Sequence, residues 1–272
     1  MPGRQFLTNL VRRRSLLAQL VRRDFEQRFV GSVAGWIWGL VHPMVLLASW
    51  TFVFHWCLRA EVPPGEITQN YTLFLVCGYL PWLLFQETVT RSAACLLDNT
   101  NLITKTVFPS EMVPISIFLS SLINHAMAMI VAVAVVALWL NHFSVMLLLL
   151  PFYTAMLGLF AIGVAWVVSA FQVYIRDTAQ MVSVVLTFWF WMTPIFISEK
   201  QIPEGSAIAD TVRWIIRFNP LSYVVRAYRE RMLSYQLPNP TDLAVIAACS
   251  IAAFAAGGLV FRQLKRGFAD VL

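Results

Sequence analysis

Six stretches of this chain are apolar over roughly the 20 residues that a helix needs to cross a bilayer, and that length fixes the fold class before anything else. They run Val33 to Leu58, Tyr71 to Cys95, Met112 to Leu140, Val145 to Phe171, Met181 to Ile197 and Leu243 to Phe261, the fifth being the shortest. The hydrocarbon core offers no water to backbone groups, so a crossing segment satisfies them within itself. The chain is therefore read as all-α and polytopic: a membrane domain over residues 33–261, a preceding segment 1–32 and a tail 262–272. Only 12% of the 272 residues are charged and 59% are hydrophobic, which excludes a water-soluble globule. Cys57, Cys77, Cys95 and Cys249 all fall inside apolar stretches and imply no disulfide scaffold or redox role.

Basic residues near span ends set orientation. Arg4, Arg12, Arg13, Arg14, Arg22, Arg23 and Arg28 precede the first span, and Arg262, Lys265 and Arg266 follow the last. Both ends are expected in the cytoplasm, which requires an even number of spans and puts Leu96 to Glu111 and Gln172 to Gln180 inside. This clustering accounts for the net charge of +6 without nucleic acid. The segment Ser198 to Asp242 then lies outside. Its stretch Thr211 to Leu233 mixes apolar residues with five arginines, too costly for a lipid-facing span at about 2.5 to 3.5 kcal/mol per central Arg. Short re-entrant or interfacial helices broken at Asn219-Pro220 are expected instead. Ahead of the first span, Leu10, Leu17, Val21, Phe25 and Phe29 share one helical face among arginines, the pattern of an amphipathic helix on the inner membrane surface.

The chemistry of an enzyme is missing. His42, His55, His125 and His142 are scattered without ligand spacing, no DxD or DxxD pair occurs, and Glu87 alone is an acid well inside a span. No G-x-x-x-x-G-K-[ST] pattern exists, so ATP phosphates are not cradled in that way on this chain. Metal and cofactor sites are expected to be absent.

Arg23-Asp24, Arg28, Ser32, Gly35, Trp38 and Pro43 form RDFEQRFVGSVAGWIWGLVHP, which resembles the opening of the membrane subunits of polysaccharide-exporting ABC transporters, the type-2 ABC permease family. NTNLITKTVFPSEMVPIS is similar to that family's loop into the third span, with Asn101, Leu102, Lys105, Phe108, Pro109, Glu111 and Pro114. Arg176-Asp177, Pro194-Ile195, Ile202-Pro203, Asn219-Pro220, Tyr228-Arg229 and the GFADVL tail follow in family order. The resemblance covers nearly the whole chain.

It implies a half-channel of a bacterial inner-membrane exporter. Two copies would pair around a central path, and two copies of a separate ATPase, which would hold ATP and Mg, would dock from the cytoplasm. Arg23, Asp24 and Arg28 of the N-terminal helix, with Asn101, Leu102, Lys105, Phe108, Pro109 and Glu111 of the loop, are the expected coupling surface. Pro109 and Pro114 can stop or bend helices there. The cargo would be a lipid-linked cell-surface polysaccharide such as O antigen or capsule. Sugar rings stack their CH faces on aromatic faces, so Trp38, Trp50, Phe54, Phe85 and Trp189 are candidates to line the path. In the run Phe188 to Trp191, Trp189 and Trp191 are expected on the helix side opposed to Phe188 and Phe190. The rivals are the same architecture carrying a small hydrophobic drug or lipid, a membrane-embedded transferase, and an ion-coupled carrier.

Overall fold

The computed structural model describes residues 13–28, 31–32, 35–105, 108–140, 144–202 and 205–271, with backbone alone at 104, 105, 140, 269 and 270. Arg4, Leu10, Arg12, Phe29, Val33, His142 and Pro203, used above, lie outside the described residues. Every regular element among them is helical: α1 Arg14–Gln27, α2 Trp38–Thr51, α3 Tyr71–Asp98, α4 Thr100–Lys105, α5 Met112–Leu140, α6 Leu150–Tyr174, α7 Thr178–Met192, α8 Ala207–Phe218, α9 Pro220–Leu233, α10 Pro240–Leu264 and α11 Phe268–Val271. Among the described residues five helical segments are long and apolar enough to cross a membrane, and α7 is a shorter apolar sixth.

Each boundary has a local cause. α2 is entered through one tight turn at Gly35–Ile37 and left through a π-helical turn at Phe52–Cys57, so that 23 residues run on as one span through Pro43. The Asn70 side chain accepts from the backbone N–H of Leu73 and caps α3. Pro114 falls in the first turn of α5, where its missing N–H costs nothing, so it does not break the helix. The fifth span differs from the expected Met181 to Ile197: α7 begins at Thr178 and stops at Met192. Thr193 is extended, at φ −91° and ψ 134°, because the ring of Pro194 disfavours helix in the residue before it.

The core centres on α3. Of its apolar window 72% is buried, against 11% for the first span and 17% for the last. α3 packs against α5, α6, α7 and α9, while α10 lies along α6. Gly163 and Gly257 set that last crossing: a Cβ on Gly163 would strike the carbonyl of Ala253, and one on Gly257 the carbonyl of Gly163. Small residues let two membrane helices approach to backbone contact, where lipid itself provides no hydrophobic drive.

Opposite ends of the bundle carry different contents. One gathers α1, the Arg91 end of α3, the start of α5 and the end of α10, tied by Lys265 Nζ to Glu111 Oε2 at 2.5 Å and by Tyr174 Oη to Leu264 O at 2.7 Å. The other gathers Glu66, Ser144, Glu199 and the α8–α9 hairpin. This hairpin breaks where the sequence says it should. Asn219 is extended between the helices, and its Oδ1 accepts from Leu221 N at 3.1 Å and from Trp189 Nε1 at 2.9 Å, while its Nδ2 donates to Thr193 Oγ1 at 2.9 Å. The hairpin thus dips from its end of the bundle to α7, as a re-entrant pair.

Candidate functional site

The residues expected to couple to a partner separate into two groups. On α1, Arg23 is exposed, next to an exposed Arg22–Glu26 pair at 2.7 Å. Asp24 and Arg28 turn inward instead. Arg28 Nη1 meets Glu87 Oε1 at 2.5 Å and Arg28 Nη2 donates to Ser121 Oγ at 2.9 Å. Arg91 Nη2 meets Asp24 Oδ1 at 2.6 Å, and Ser121 Oγ donates to Glu87 Oε1 at 3.1 Å. Two cations and two anions from α1 and α3 therefore close a neutral ring, with Ser121 of α5 bridging it. Helical spacing places Asp24 and Arg28 on one face, one turn apart, and that face is the one against the bundle. Their charges are directed into the ring and not to the outer face of α1.

The loop into α5 is similarly divided. Asn101 is exposed and Leu102 half-buried on α4. Lys105 ends that helix, and its side chain lies outside the described residues. Phe108 is half-buried against the core, and the carbonyl of Pro109 accepts from Met112 N at 2.9 Å to open α5. Glu111 is committed within the chain, its carboxylate to Lys265 and its carbonyl to Trp166 Nε1 at 3.0 Å.

The aromatic candidates occupy three environments. Phe85 is fully buried, with ring centroids 5.2 Å from Trp189 and 5.5 Å from Phe160, and offers no surface to a path. Trp50, Phe54 and Trp189 are half-buried in a ring cluster that also contains Tyr79, Trp82, Phe190 and Phe196; Trp50 sits 4.9 Å from Tyr79 and Phe54 stacks on Phe196 at 4.8 Å. Trp38 is 57% exposed. In α7 the exposed pair is Phe188 with Trp191, and the packed pair is Trp189 with Phe190. This corrects the expected alternation. At 100° per residue the i, i+3 neighbours share a face, whereas opposed sides two residues apart belong to a strand.

The opposite end holds what the sequence reading missed. Arg226 of α9 bridges Glu199 at 2.5 Å and Asp242 at 3.0 Å. Burial pulls its pKa down, but those two carboxylates outweigh it and leave it raised. Arg229 is 7% exposed; its Nε donates to Phe74 O at 3.1 Å, its Nη2 to Ile195 O at 2.6 Å, and its guanidinium lies 3.5 Å from the centre of the Phe74 ring. Gly78 makes room, since a Cβ there would lie 2.5 Å from Arg229 Nη2. Arg231 is fully buried, bonding Glu230 at 2.6 Å and Gln236 O at 2.5 Å. Tyr228 joins Thr154 at 2.6 Å and His125 at 3.2 Å. The signal was the alternation of arginines with apolar residues over Tyr223 to Leu233, which marks a helix buried on all sides as well as an interfacial one.

Three relationships place this arrangement among known proteins. The family model described as "ABC-2 type transporter" matches residues 15–233. The chain is 27% identical over 258 residues to an O-antigen export system permease protein RfbA of Klebsiella pneumoniae, covering 94% of this chain and 95% of that one. It is 25% identical over 266 residues to the O-antigen export system permease protein RfbA of Myxococcus xanthus, covering 98% of each.

Proposed function

This chain belongs to the ABC-2 type transporter family, and from that premise we propose that it is the permease half of an exporter that moves a lipid-linked cell-surface polysaccharide, an O antigen or a similar glycan, across the bacterial inner membrane. As a membrane subunit of that family it works with an ABC ATPase, on which the nucleotide is hydrolysed. The observation that carries the substrate class is the end-to-end match, over 94% to 98% of the chain, to permeases named for O-antigen export.

The geometry supports this reading in three respects. The span Gly35–Cys57 leans on the bundle through Pro43, Leu47 and its aromatics, and leaves Trp36, Trp38, Phe52 and Trp56 exposed, a face that a second copy would cover to close a path. On this reading the α1 end faces the cytoplasm, where exposed Arg22 and Arg23 and the α4 loop present a surface to the ATPase. Force applied to α1 enters α3 through the Asp24–Arg91 and Arg28–Glu87 pairs.

Deleting the gene in its own host while leaving the gene of its ATPase partner intact tests the proposal. Surface polysaccharide should disappear, its lipid-linked form should accumulate inside, and the cloned chain should restore export only together with the ATPase. Unchanged surface glycan with altered tolerance to hydrophobic drugs would instead assign the chain to drug or lipid export.

A further inference from the structure

Two openings on one side of α5 join into a slot. One, of about 720 Å³, separates α1 from α5 and is lined by Leu17, Val21 and Phe25 of the first helix and Leu119, Leu122 and Ala126 of the second. The other, of about 630 Å³, separates α5 from α6 and is lined by Leu122, Ala126, Met129 and Val133 together with Leu150 and Ala155. Leu122 and Ala126 border both, and at 100° per residue all of these α5 positions fall on a single side of the helix. Each opening is within the size range of ligand sites. From Leu119 to Val133 the helix rises about 21 Å at 1.5 Å per residue, somewhat more than half of a hydrocarbon core of about 30 Å.

The walls suit an alkyl chain. Phe118 lies over Gly158, where a Cβ would come within 2.4 Å of its ring, and floors the slot with hydrocarbon. His125 and Thr154, the polar residues between α5 and α6, bond Tyr228 Oη at 3.2 and 2.6 Å. The mouth at α1 is cationic. Arg22 there is matched by Glu26 at 2.7 Å, but Arg14 is exposed and bonds no carboxylate among the described residues, and exposed Arg13 precedes it. An unmatched guanidinium beside an apolar slot complements a phosphodiester joined to an alkyl chain, which it can hold through two parallel N–H···O bonds. A second copy does not fit the slot as its occupant: α2, whose outer face that copy would cover, faces the other side of α5 at Val131, Ala132 and Val135.

We propose that the slot holds an acidic phospholipid of the inner leaflet, its phosphate at Arg14 and one acyl chain running past Ala126 between α5 and α6. α1 is then fastened to the bundle by the ring of Asp24, Arg28, Glu87 and Arg91 and, along its neighbouring apolar stripe, by a lipid. The leaflet follows from the cytoplasmic placement of the α1 end proposed above, and the site itself does not depend on the cargo.

The test uses the full chain purified with its ATPase, titrated with phosphatidylglycerol, phosphatidylcholine or polyprenyl phosphate, and reads lipid bound per chain by native mass spectrometry. The parent should bind phosphatidylglycerol more tightly than phosphatidylcholine. Arg14→Gln should weaken phosphatidylglycerol binding about fivefold, the worth of one arginine beside an anionic headgroup, and leave phosphatidylcholine as it was. Ala126→Phe, which fills the junction of the two openings, should weaken both. Equal affinity of the parent for the two phospholipids, or phosphatidylglycerol binding unaffected by either variant, overturns the proposal. Polyprenyl phosphate that binds at Arg14 in preference to phosphatidylglycerol also overturns it and gives the slot to a cargo carrier. If Ala126→Phe fails to accumulate, the exposed substitution Arg14→Gln decides on the same readout. Unaltered surface glycan on deletion of the whole gene is a separate outcome, which removes the export reading and leaves the lipid-binding result standing.

Discussion

At the α1 end, Arg28 and Arg91 meet carboxylates at 2.5 and 2.6 Å while keeping 12% and 27% of their side chains exposed. At the hairpin end, Arg229 is 7% exposed and meets two backbone carbonyls and the face of Phe74; among the described residues no carboxylate pairs with it. The difference teaches what each end can do. A partly wet ring of matched charges can open, hydrate and close again at modest cost, because each charge recovers water as it loses its partner. A cation buried against carbonyls has no such exchange, since withdrawing it strands both acceptors. On the proposed reading, the α1 end is suited to transmit movement and the hairpin end to resist it.

Removing the Arg229 guanidinium should break the comparison most severely. In Arg229→Met the carbonyls of Phe74 and Ile195 lose charged donors worth about 1.5 to 3 kcal/mol each, so the expected loss is several kcal/mol. The measurements are chain level in membranes and thermal midpoint in detergent. Arg229→Lys should be intermediate, because an ammonium cannot span both carbonyls in one plane. If Arg229→Met is as stable as the parent, the hairpin is not anchored by this residue.

The ring allows a sharper test by reversal. Asp24→Arg or Arg91→Asp alone puts like charges together and should abolish export, while the double variant restores one opposite pair and should recover a substantial part of it. Failure of the double variant to exceed either single variant would mean that the Asp24–Arg91 contact does not carry the coupling. Neutralisation is milder: Glu87→Gln leaves Arg28 and Arg91 sharing Asp24 alone, and about 1 to 2 kcal/mol of stability should go, discounted for the exposure of all four side chains. A thermal midpoint unchanged by Glu87→Gln would mean that water already carries most of the ring's load.

The contrast explains what sequence could and could not convey. Span number, the all-helical class and the break at Asn219-Pro220 follow from runs of apolar residues and from one proline, which are local properties. The early stop of α7 was legible too, in Thr193-Pro194, since the residue before a proline is disfavoured in a helix; its start at Thr178 was not. The inward turn of Asp24 and Arg28 was not, because the partners, Glu87, Arg91 and Ser121, are 59 to 93 positions away. An arginine-rich stretch with an apolar background reads the same whether its charges face headgroups or carbonyls of another helix. Arg229 therefore looked interfacial and is interior. Phe85 looked like any other aromatic of a second span, yet its helix is the central one, so its ring is sealed among Phe160 and Trp189.

The smallest expected effect on the fold, and the sharpest on assembly, belongs to Arg23. It is on the outer face of the same helix as Asp24, exposed and with no carboxylate bonded to it among the described residues, while its neighbour Arg22 already pairs with Glu26. An exposed charge of this kind leaves the thermal midpoint of the chain where it was when changed. Exposed charges at a docking face act instead on encounter and register with a partner. Arg23→Glu is therefore expected to keep chain level and thermal midpoint at parental values, while lowering the amount of ATPase that co-purifies and, with it, export. Asp24→Asn, one position away but inside the ring, should do the opposite, lowering the midpoint while leaving the exposed docking face as it was. Measured side by side, the two variants separate the outer face of α1 from its inner face. Equal loss of ATPase binding in both would mean that α1 docks as a whole and that the ring is part of the partner's surface rather than the linkage behind it.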